Sequence, residues 1–354
     1  MKILVTGHLG YIGTVLVPML LERGHEVHGM DVDWFGRCTF GGTIADVPNN
    51  RKDIRDAAVV DLRGYEAVLH LAALSNDPLG NYDPQLTDEI NHRATVRLAE
   101  VARDAGVRRF VFSSTCSNYG VAGDQFIDEG APFKPYTPYA RAKVAAEQAL
   151  KPMSDERFSV TLMRSATAFG WSPRIRFDLV VNNLVAHAHT TGKILMKSDG
   201  TPWRALVHIE DIARAFTAVA GAKRELVHDQ AFNVGQTKEN YRISEVAEMV
   251  AGIVPNCRIE YAPGAGPDPR CYRVNCDKLP RTLPEYRPQW SARDGARQVY
   301  EMVRQVGLAP DEFEGARYAR LPHMKKLIAD GVVDERFRYR AGGSVGGGGA
   351  TIAA

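Results

Sequence analysis

Residues 2–13 read KILVTGHLGYIG, a short apolar run followed at once by glycines at positions 7, 10 and 13. The apolar run predicts a buried strand, and the residues after Gly13 predict a helix. A tight glycine turn between them lets a backbone approach a diphosphate closely, and it directs the free amides of the helix N-terminus towards that group. The stretch therefore predicts the first unit of a dinucleotide-binding domain. The residues expected to contact the cofactor here are Gly7, Gly10, Tyr11, Ile12 and Gly13.

An acidic residue ends the second predicted strand. Asp31 lies eighteen residues after Gly13, where a carboxylate can accept hydrogen bonds from both hydroxyls of an adenosine ribose. A carboxylate there repels a 2′-phosphate, so the sequence favours NAD over NADP, although the nearby Arg37 weakens this preference. Further along, Asp53 and Ile54 in KDIRD either contact the adenine or belong to a solvated loop.

Strand-like and helix-like runs alternate through the first half of the chain. HEVHGMD, EAVLHLAA, RRFVFSS and FSVTLMR are apolar runs of strand length, separated by helical segments. This alternation predicts an α/β fold with a Rossmann-type doubly wound parallel sheet, covered on both faces. After about residue 171 the prolines and glycines become frequent, which predicts a smaller α/β substrate-binding lobe. We assign residues 1–170 to the NAD-binding domain, with 204–236 returning to it, 171–340 mostly to the smaller lobe, and 341–354 to a flexible glycine-rich tail.

Composition and charge exclude several classes of protein. The chain has 354 residues and a net charge of +2, so nothing in its charge favours nucleic acid or an anionic membrane as a partner. It has no apolar run of the roughly 18 residues that a membrane span needs, and its first apolar run breaks at Gly7 as a strand does. Its five cysteines form no CxxC pair and join no histidine cluster, which indicates reduced thiols, no metal site and a cytoplasmic protein.

A tyrosine and a lysine lie four residues apart in TPYARAKVAAEQ, residues 137–148. Thr137 and Pro138 predict the start of a helix, so Tyr139 and Lys143 should share one face. A phenol has an ordinary pKa near 10, and action as a base near neutral pH requires lowering that pKa by roughly 3. A lysine ammonium and the positive charge of an oxidised nicotinamide can each contribute. Behind a phosphate loop, the pair predicts an acid/base site rather than a surface helix.

The stretch RRFVFSSTCSNYG, residues 108–120, begins as a buried strand and ends in small polar side chains. Folds of this type bind ligands where their parallel strands end, so we expect the run to form the floor of an active site. Ser113 is therefore a candidate cofactor residue, and Thr115 and Ser117 are candidate substrate residues. Cys116 should turn away and pack, because neighbours on a strand face opposite sides.

Together these motifs resemble the extended short-chain dehydrogenase/reductase family, and within it the nucleotide-sugar epimerases and dehydratases. The resemblance covers roughly residues 1–300 and rests on TGHLGYIG, HLAA, FSSTCSNYG, YARAK and DGTPWRALVHIEDIARAF. It implies that Thr115 hydrogen-bonds the reacting sugar hydroxyl, that Tyr139 is the acid/base, and that Lys143 holds the ribose and tunes the tyrosine. It also implies cofactor contacts with Leu71, Ala72, Ala73 and Asn91, and contacts of the substrate diphosphate with Asn183, Leu184, Arg204 and Arg270. Either arginine could instead form a surface salt bridge.

The sequence departs from parts of this family. In its 4,6-dehydratases the catalytic threonine precedes an Asp-Glu pair, whereas Thr115 precedes Cys116 and Ser117, so elimination lacks its acid and base. Thr167 stands where many members have asparagine, so the sequence does not identify the sugar. His208 and Asp211 are interpreted as structural residues that hold a strand-to-helix turn.

These observations predict an NAD-dependent nucleotide-sugar epimerase that acts at C4 through a transient 4-keto sugar. The alternative with the same residues is an NADH-dependent nucleotide-sugar 4-ketoreductase. A 4,6-dehydratase and a non-enzymatic NAD-sensing protein are less favoured, the latter because Thr115, Tyr139 and Lys143 are all present. The resemblance also implies a homodimer that contacts through the helix of Tyr139.

Overall fold

The computed structural model describes residues 1–266 and 271–340, so the predicted tail at 341–354 lies outside the described residues. In chain order the strands are β1 (Lys2–Thr6), β2 (Glu26–Met30), β3 (Asn49–Asn50), β4 (Ala67–His70), β5 (Arg109–Thr115), β6 (Val121–Ile127), β7 (Ser159–Ser165), β8 (Thr167–Phe169), β9 (Lys193–Ser198), β10 (Trp203–His208), β11 (Gln230–Val234), β12 (Asn240–Arg242), β13 (Arg258–Gly266) and β14 (Cys271–Val274).

The helices alternate with these strands through most of the chain. In order they are α1 (Gly13–Glu22), α2 (Val59–Leu62), α3 (Asp77–Tyr82), α4 (Pro84–Asp88), α5 (Ala94–Asp104), α6 (Pro138–Leu150), α7 (Val180–Thr191), α8 (Ile209–Gly221), α9 (Arg224–Val227), α10 (Ile243–Ala251), α11 (Lys278–Thr282), α12 (Ala292–Val306), α13 (Pro310–Glu314) and α14 (Arg320–Ala329).

Seven parallel strands form the central sheet, in the order β11-β7-β5-β4-β1-β2-β3. Helices cover both faces. Leu16 of α1 and Phe216 of α8 share one apolar core with the sheet, while Leu98 of α5 and Ala146 of α6 share the core on the opposite face. Strands buried on both sides are apolar at nearly every position, which explains the continuous apolar runs of the sequence. The predicted Rossmann-type doubly wound fold is confirmed.

The smaller lobe has its own apolar core, in which α7, α10 and α12 pack together with β9. Val185, Val250, Val303 and Ile194 are all fully buried there. The parallel pair β9 and β13 forms a separate two-stranded sheet in this lobe. A compact core of this kind gives a firm second wall to any site between the lobe and the central sheet.

Two later segments lie against the central sheet. α8 packs on α1, and β11 is the outermost strand beside β7, so residues between 209 and 234 return to the first domain. The structure adds a segment that the sequence did not assign to this domain. Met324 and Leu327 of α14, together with Phe337, are buried in its core.

The order in which successive strands are added to the sheet changes direction between β1 and β4, although the strands themselves are parallel. These strands are hydrogen-bonded neighbours, yet β2 and β3 follow β1 on one side while β5 and β7 follow β4 on the other. At such a switch point the loops after the strands diverge and leave a crevice beyond their carboxyl ends. The crevice is the place to look for a site.

Three further features bear on function. All five cysteines are unpaired. Within residues 1–266 and 271–340, no helix combines the length and apolar character needed to cross a membrane. The same residues hold no group of three or more side chains arranged to bind a metal ion.

Candidate active site

A cavity of about 1250 Å³ opens along the carboxyl ends of the central strands and reaches the smaller lobe. Of the predicted cofactor and substrate residues that the structure describes, all but Asn91 line it, and Asn91 lies behind the wall. Arg270 lies outside the described residues.

The glycine loop forms one end of this cavity, and side chains would not fit in it. Gly7 has a φ of 75°, and a Cβ there would lie 2.7 Å from the backbone nitrogen of Ala72. A Cβ on Gly13, the first residue of α1, would overlap the carbonyl oxygen of Gly7. The amide of Gly10 donates to that same carbonyl at 3.0 Å. The loop is therefore a closed backbone turn at a helix N-terminus, a shape suited to a diphosphate.

Asp31 links the glycine loop to the chain after β2. Its Oδ2 accepts from the amide of Leu9 at 3.1 Å, and its Oδ1 accepts from the amide of Asp33 at 2.8 Å. Burial raises the pKa of this carboxyl above its ordinary value, and the backbone donors oppose the rise. Each carboxylate oxygen has capacity for a second donor, such as a ribose hydroxyl.

Among the other predicted cofactor residues, Asp53 and Ile54 line the cavity, whereas Asn91 does not. Ile54 offers an apolar surface to the cavity, while the Asp53 carboxylate is paired with Arg55 at 2.7 Å. Asn91 is fully buried and bonds both the amide and the carbonyl of Leu74, at 2.8 and 2.9 Å. We therefore expect Asn91 to act on the cofactor through the loop that follows β4, rather than by contact.

The small side chains at the end of β5 and just after it fall into two sets, those that line the cavity and those that pack in the core. Ser113, Thr115 and Ser117 line the cavity. Cys116 is fully buried and its Sγ donates to the Arg164 carbonyl at 3.1 Å, so the prediction that it packs is confirmed. The reason differs from strand alternation, because β5 ends at Thr115 and a 3₁₀ turn over Cys116–Tyr119 redirects the following side chains.

The Tyr–Lys helix begins as predicted, with the Thr137 hydroxyl accepting from the amide of Ala140 at 3.2 Å. Tyr139 is half-buried, and the Thr115 side chain acts to lower the pKa of its phenol. Lys143 is 2% exposed, its Nζ lies 5.8 Å from the centre of the Tyr139 ring, and it donates to the Ser113 carbonyl at 2.7 Å. The end of β5, the Tyr139 phenol and the Lys143 amine therefore lie together in one cluster on the cavity wall.

Burial shifts the pKa of both Tyr139 and Lys143. It raises the pKa of Tyr139 to about 12, against the opposing effects of Arg176 and Thr115. It lowers the pKa of Lys143 to about 7, opposed by Glu147. Both shifts favour the neutral form, so added positive charge is needed to turn the phenol into a base.

The depressed lysine pKa predicts a pH-dependent stability of the nucleotide-free protein. Between pH 7 and 10 the unfolded chain holds the Lys143 proton that the folded chain has lost, so stability rises with pH. Lys143→Met removes this contribution. We expect the wild type to gain about 1 kcal/mol per pH unit relative to the variant between pH 7.5 and 9, measured by urea unfolding. A constant difference across these pH values would show that Lys143 stays protonated in the folded state.

An ion pair that the sequence analysis missed lies beside the phenol. Arg176 and Asp178 are 2.6 Å apart, and Arg176 also donates to Ser75 at 3.1 Å. Among nearby charges, the Arg176 guanidinium has the largest effect that lowers the pKa of Tyr139, and Asp77 has the opposite effect. The alternation RIRFD at 174–178 was the available signal, but it comes from a loop with no periodic pattern to place it.

A second missed residue, Tyr272 of β14, closes the cavity above the strand end. Burial raises the pKa of its phenol, and the side chains of Ser117 and Thr167 act to lower it. The Arg204 guanidinium lies 5.9 Å from the centre of the Tyr272 ring, and Arg204 is 8% exposed. Arg204 therefore belongs to the cavity wall.

The other predicted substrate residues lie on α7. Asn183 uses its Nδ2 to donate to the Phe177 carbonyl at 2.8 Å, while Leu184 is buried against the lobe core. Both line the cavity. His208 and Asp211 have the structural role that was predicted. The Nδ1 of His208 accepts from the amide of Glu210 at the start of α8, and Asp211 accepts from the amide of Trp290 at 3.0 Å.

Comparison with known proteins gives three kinds of match. Residues 3–235 match the model of the NAD dependent epimerase/dehydratase family. A UDP-glucose 4-epimerase of Mycolicibacterium smegmatis is 31% identical over 319 residues, which cover 86% of this chain and 99% of that protein.

Two solved structures are also similar. The UDP-glucose 4-epimerase of Thermus thermophilus in complex with NAD is 26% identical, with a TM-score of 0.72 over 86% of this chain and 99% of that one. A dTDP-glucose 4,6-dehydratase of Streptomyces venezuelae with NAD bound is 25% identical, with a TM-score of 0.75 over 86% and 97%. The similarity thus spans enzymes that catalyse different reactions.

Proposed function

The chain belongs to the NAD-dependent epimerase/dehydratase family, and on that premise we propose that it is a nucleotide-sugar epimerase acting at C4. Its cofactor is NAD, as in the enzymes it resembles. The observation that carries the proposal is the cluster of Thr115, Tyr139 and Lys143 on the wall of one cavity with the glycine loop. Fold alone would not distinguish an enzyme from a binding protein, but this cluster supplies acid/base chemistry.

The cavity fits NAD at one end. Gly7 and Gly13 permit the tight turn that surrounds a diphosphate, because a Cβ at either position would clash with neighbouring backbone, and Asp31 can accept from a ribose. NAD, when bound, supplies a hydride acceptor and donor for a sugar carbon. The chain itself supplies orientation and proton transfer.

Tyr139 carries the proton steps of the proposed reaction. The phenolate form takes the proton of the C4 hydroxyl while Thr115 orients that hydroxyl, and the resulting phenol returns the proton to the C4 oxygen after the 4-keto sugar has presented its opposite face. Lys143 and Arg176 are the nearby cations that favour the phenolate during this exchange. Inversion requires the keto sugar to rotate in place, so the diphosphate must be anchored while the sugar turns.

The anchor is proposed on the smaller lobe. Arg204 can bind phosphate oxygens through two N–H groups, and Asn183 and Leu184 line the same cavity. A cavity of about 1250 Å³ is larger than usual for one small molecule and leaves space for a nucleotide sugar beside NAD. The curated relative acts on UDP-glucose, so we propose a UDP-sugar as substrate.

A 4,6-dehydratase is less well supported. Cys116 and Ser117 occupy the two positions after Thr115, and neither is a carboxylic acid. Cys116 is also sealed in the core, and burial holds the pKa of its thiol well above the ordinary value. The cavity carboxylate Asp178 is already bound to Arg176 and Asn76.

The reaction can be tested with a panel of UDP-, dTDP-, GDP- and CDP-sugars, read by proton NMR. We expect UDP-glucose and UDP-galactose to interconvert, with both directions reaching the same ratio and no net change in NADH absorbance. A protein freed of nucleotide should regain this activity with catalytic amounts of NAD. Stoichiometric NADH consumption would identify a ketoreductase, and a 4-keto-6-deoxy product would identify a dehydratase.

We also propose a homodimer and a cytoplasmic location. The first rests on resemblance to the family, with α6 as the contact. The second is supported by the five unpaired cysteines, which suit a reducing compartment. Light scattering of the purified protein tests the dimer, since a mass of one 39.0 kDa chain would contradict it.

A further inference from the structure

The last described part of the chain, residues 310–340, forms what we call the C-terminal segment. It crosses back from the smaller lobe to the NAD-binding domain, where Phe337 is buried in the core. Arg338 forms ion pairs with Asp53 and Asp56. Residues 318–322 of this segment line the main cavity. The segment is therefore a wall of the cofactor site as well as a structural clasp.

Arg320, the first residue of α14, occupies an unusual position in that wall. It is 7% exposed, and its guanidinium stacks on Phe35 with 4.2 Å to the ring centre. Its Nη2 donates to the carbonyl oxygens of Arg174 and Ile175 at 3.0 and 3.3 Å. Its Nη1 has no hydrogen-bond partner among residues 1–266 and 271–340. A buried cationic donor without a partner is costly and rare in native proteins.

Two further arginines, Arg174 and Arg176, lie close to Arg320. After burial they act to lower its pKa, whereas Cys38 and Asp178 act to raise it. Arg174 and Arg176 each have an acid of their own, because Arg174 is 3.2 Å from Asp33 and Arg176 is paired with Asp178. Arg320 has no carboxylate within salt-bridge distance in the described part of the chain. Of the three arginines, Arg320 is therefore the one whose charge has no direct carboxylate partner among those residues.

The position of Arg320 indicates which part of the cavity its Nη1 group serves. Phe35, under the guanidinium, follows Asp31 in the loop beside the ribose end of the cavity. Arg176, next to Arg320, also acts on the pKa of Tyr11 in the glycine loop. Arg204, by contrast, lies beside Tyr272 at the sugar end. Arg320 thus faces the cofactor side of the cavity.

We propose that Arg320 donates its Nη1–H group to the diphosphate of NAD, so that the C-terminal segment completes the cofactor site. The guanidinium is pre-oriented by Phe35 and the two carbonyl groups, so its contact with a phosphate oxygen costs little conformational entropy. The inference rests on NAD binding and not on which sugar reacts.

Calorimetry with nucleotide-free protein tests the proposal. Arg320→Gln should weaken NAD⁺ and ADP-ribose about 10- to 100-fold, the effect of losing one charge-assisted hydrogen bond. Adenosine, which lacks the diphosphate, should bind the variant as it binds the wild type when measured by competition. UDP affinity should also be unchanged. Arg320→Lys should recover part of the NAD⁺ affinity, because it keeps the charge.

Lys325→Gln is the matched control, since it removes a positive charge from an exposed position of the same helix outside the cavity. It should leave NAD⁺ affinity unchanged. Equal losses for adenosine and NAD⁺ in Arg320→Gln would overturn the proposal in favour of a structural role. A loss confined to UDP would assign Arg320 to the substrate, and unchanged NAD⁺ affinity would refute the contact.

Discussion

Tyr139→Phe is expected to lower kcat about a thousandfold or more while NAD binds as in the wild type. The substitution removes the phenol oxygen, but it keeps the ring in its half-buried position on α6. With no group left to take the proton of the sugar hydroxyl, the chemical step fails. NMR of UDP-glucose conversion and calorimetry of NAD binding measure the two effects separately.

Tyr272→Phe is the matched control for that experiment. It removes a second phenol from the same cavity, one whose pKa is affected by the side chains of Ser117 and Thr167. We expect a change in KM and a decrease in kcat of less than about tenfold, because this phenol orients neighbours and takes no proton. If Tyr272→Phe were inactive and Tyr139→Phe active, the acid/base assignment would be reversed.

The sequence was sufficient for those parts of the site that belong to regular elements. The glycine loop, Asp31 and the Tyr–Lys helix each follow from a local pattern with a geometric requirement, such as the four-residue spacing that puts Tyr139 and Lys143 on one helix face. Cys116 shows the limit even there. It packs as predicted, but a 3₁₀ turn and not strand alternation removes it from the cavity.

The missed residues come from segments whose place no local pattern reports. Arg176 lies in an irregular loop after β8, Tyr272 on a short strand, and Arg320 after the segment that leaves the smaller lobe. They meet through packing between regions far apart in the chain, as the contacts of Arg320 with Phe35 and Ile175 illustrate. Sequence alone gives their residue types, and tertiary structure decides which of the many arginines line the cavity.

The floor of the active site rests on a buried ion pair. Glu147, one turn after Lys143 on α6, is 2.6 Å from Arg164 of β7, and their exposures are 2% and 5%. Ser114 donates to the same carboxylate from the strand end, and Asn118 donates to it at 3.0 Å. One carboxylate therefore joins the helix of the catalytic pair to two strands of the central sheet.

Glu147→Gln is expected to lower the free energy of unfolding by about 3–5 kcal/mol. The glutamine side chain has nearly the same shape as glutamate, but it is neutral, so the positive charge of Arg164 stays buried without a negative partner. It also presents an N–H group to the donors of Ser114 and Asn118. Urea unfolding at pH 7 measures the loss, which is a large share of the total stability of an ordinary domain.

Glu26→Gln separates burial from charge in this experiment. Glu26 pairs with Lys2 at 2.9 Å, about the same distance, but its side chain is 59% exposed. Solvent screens an exposed pair, so this variant should unfold close to the wild type. Arg164→Met combined with Glu147→Leu should recover part of the stability lost in Glu147→Gln, because no charge is then left buried. If the double variant were as unstable as Glu147→Gln, the stabilisation would come from the hydrogen bonds of Ser114 and Asn118, and the floor would depend on its polar network more than on the ion pair.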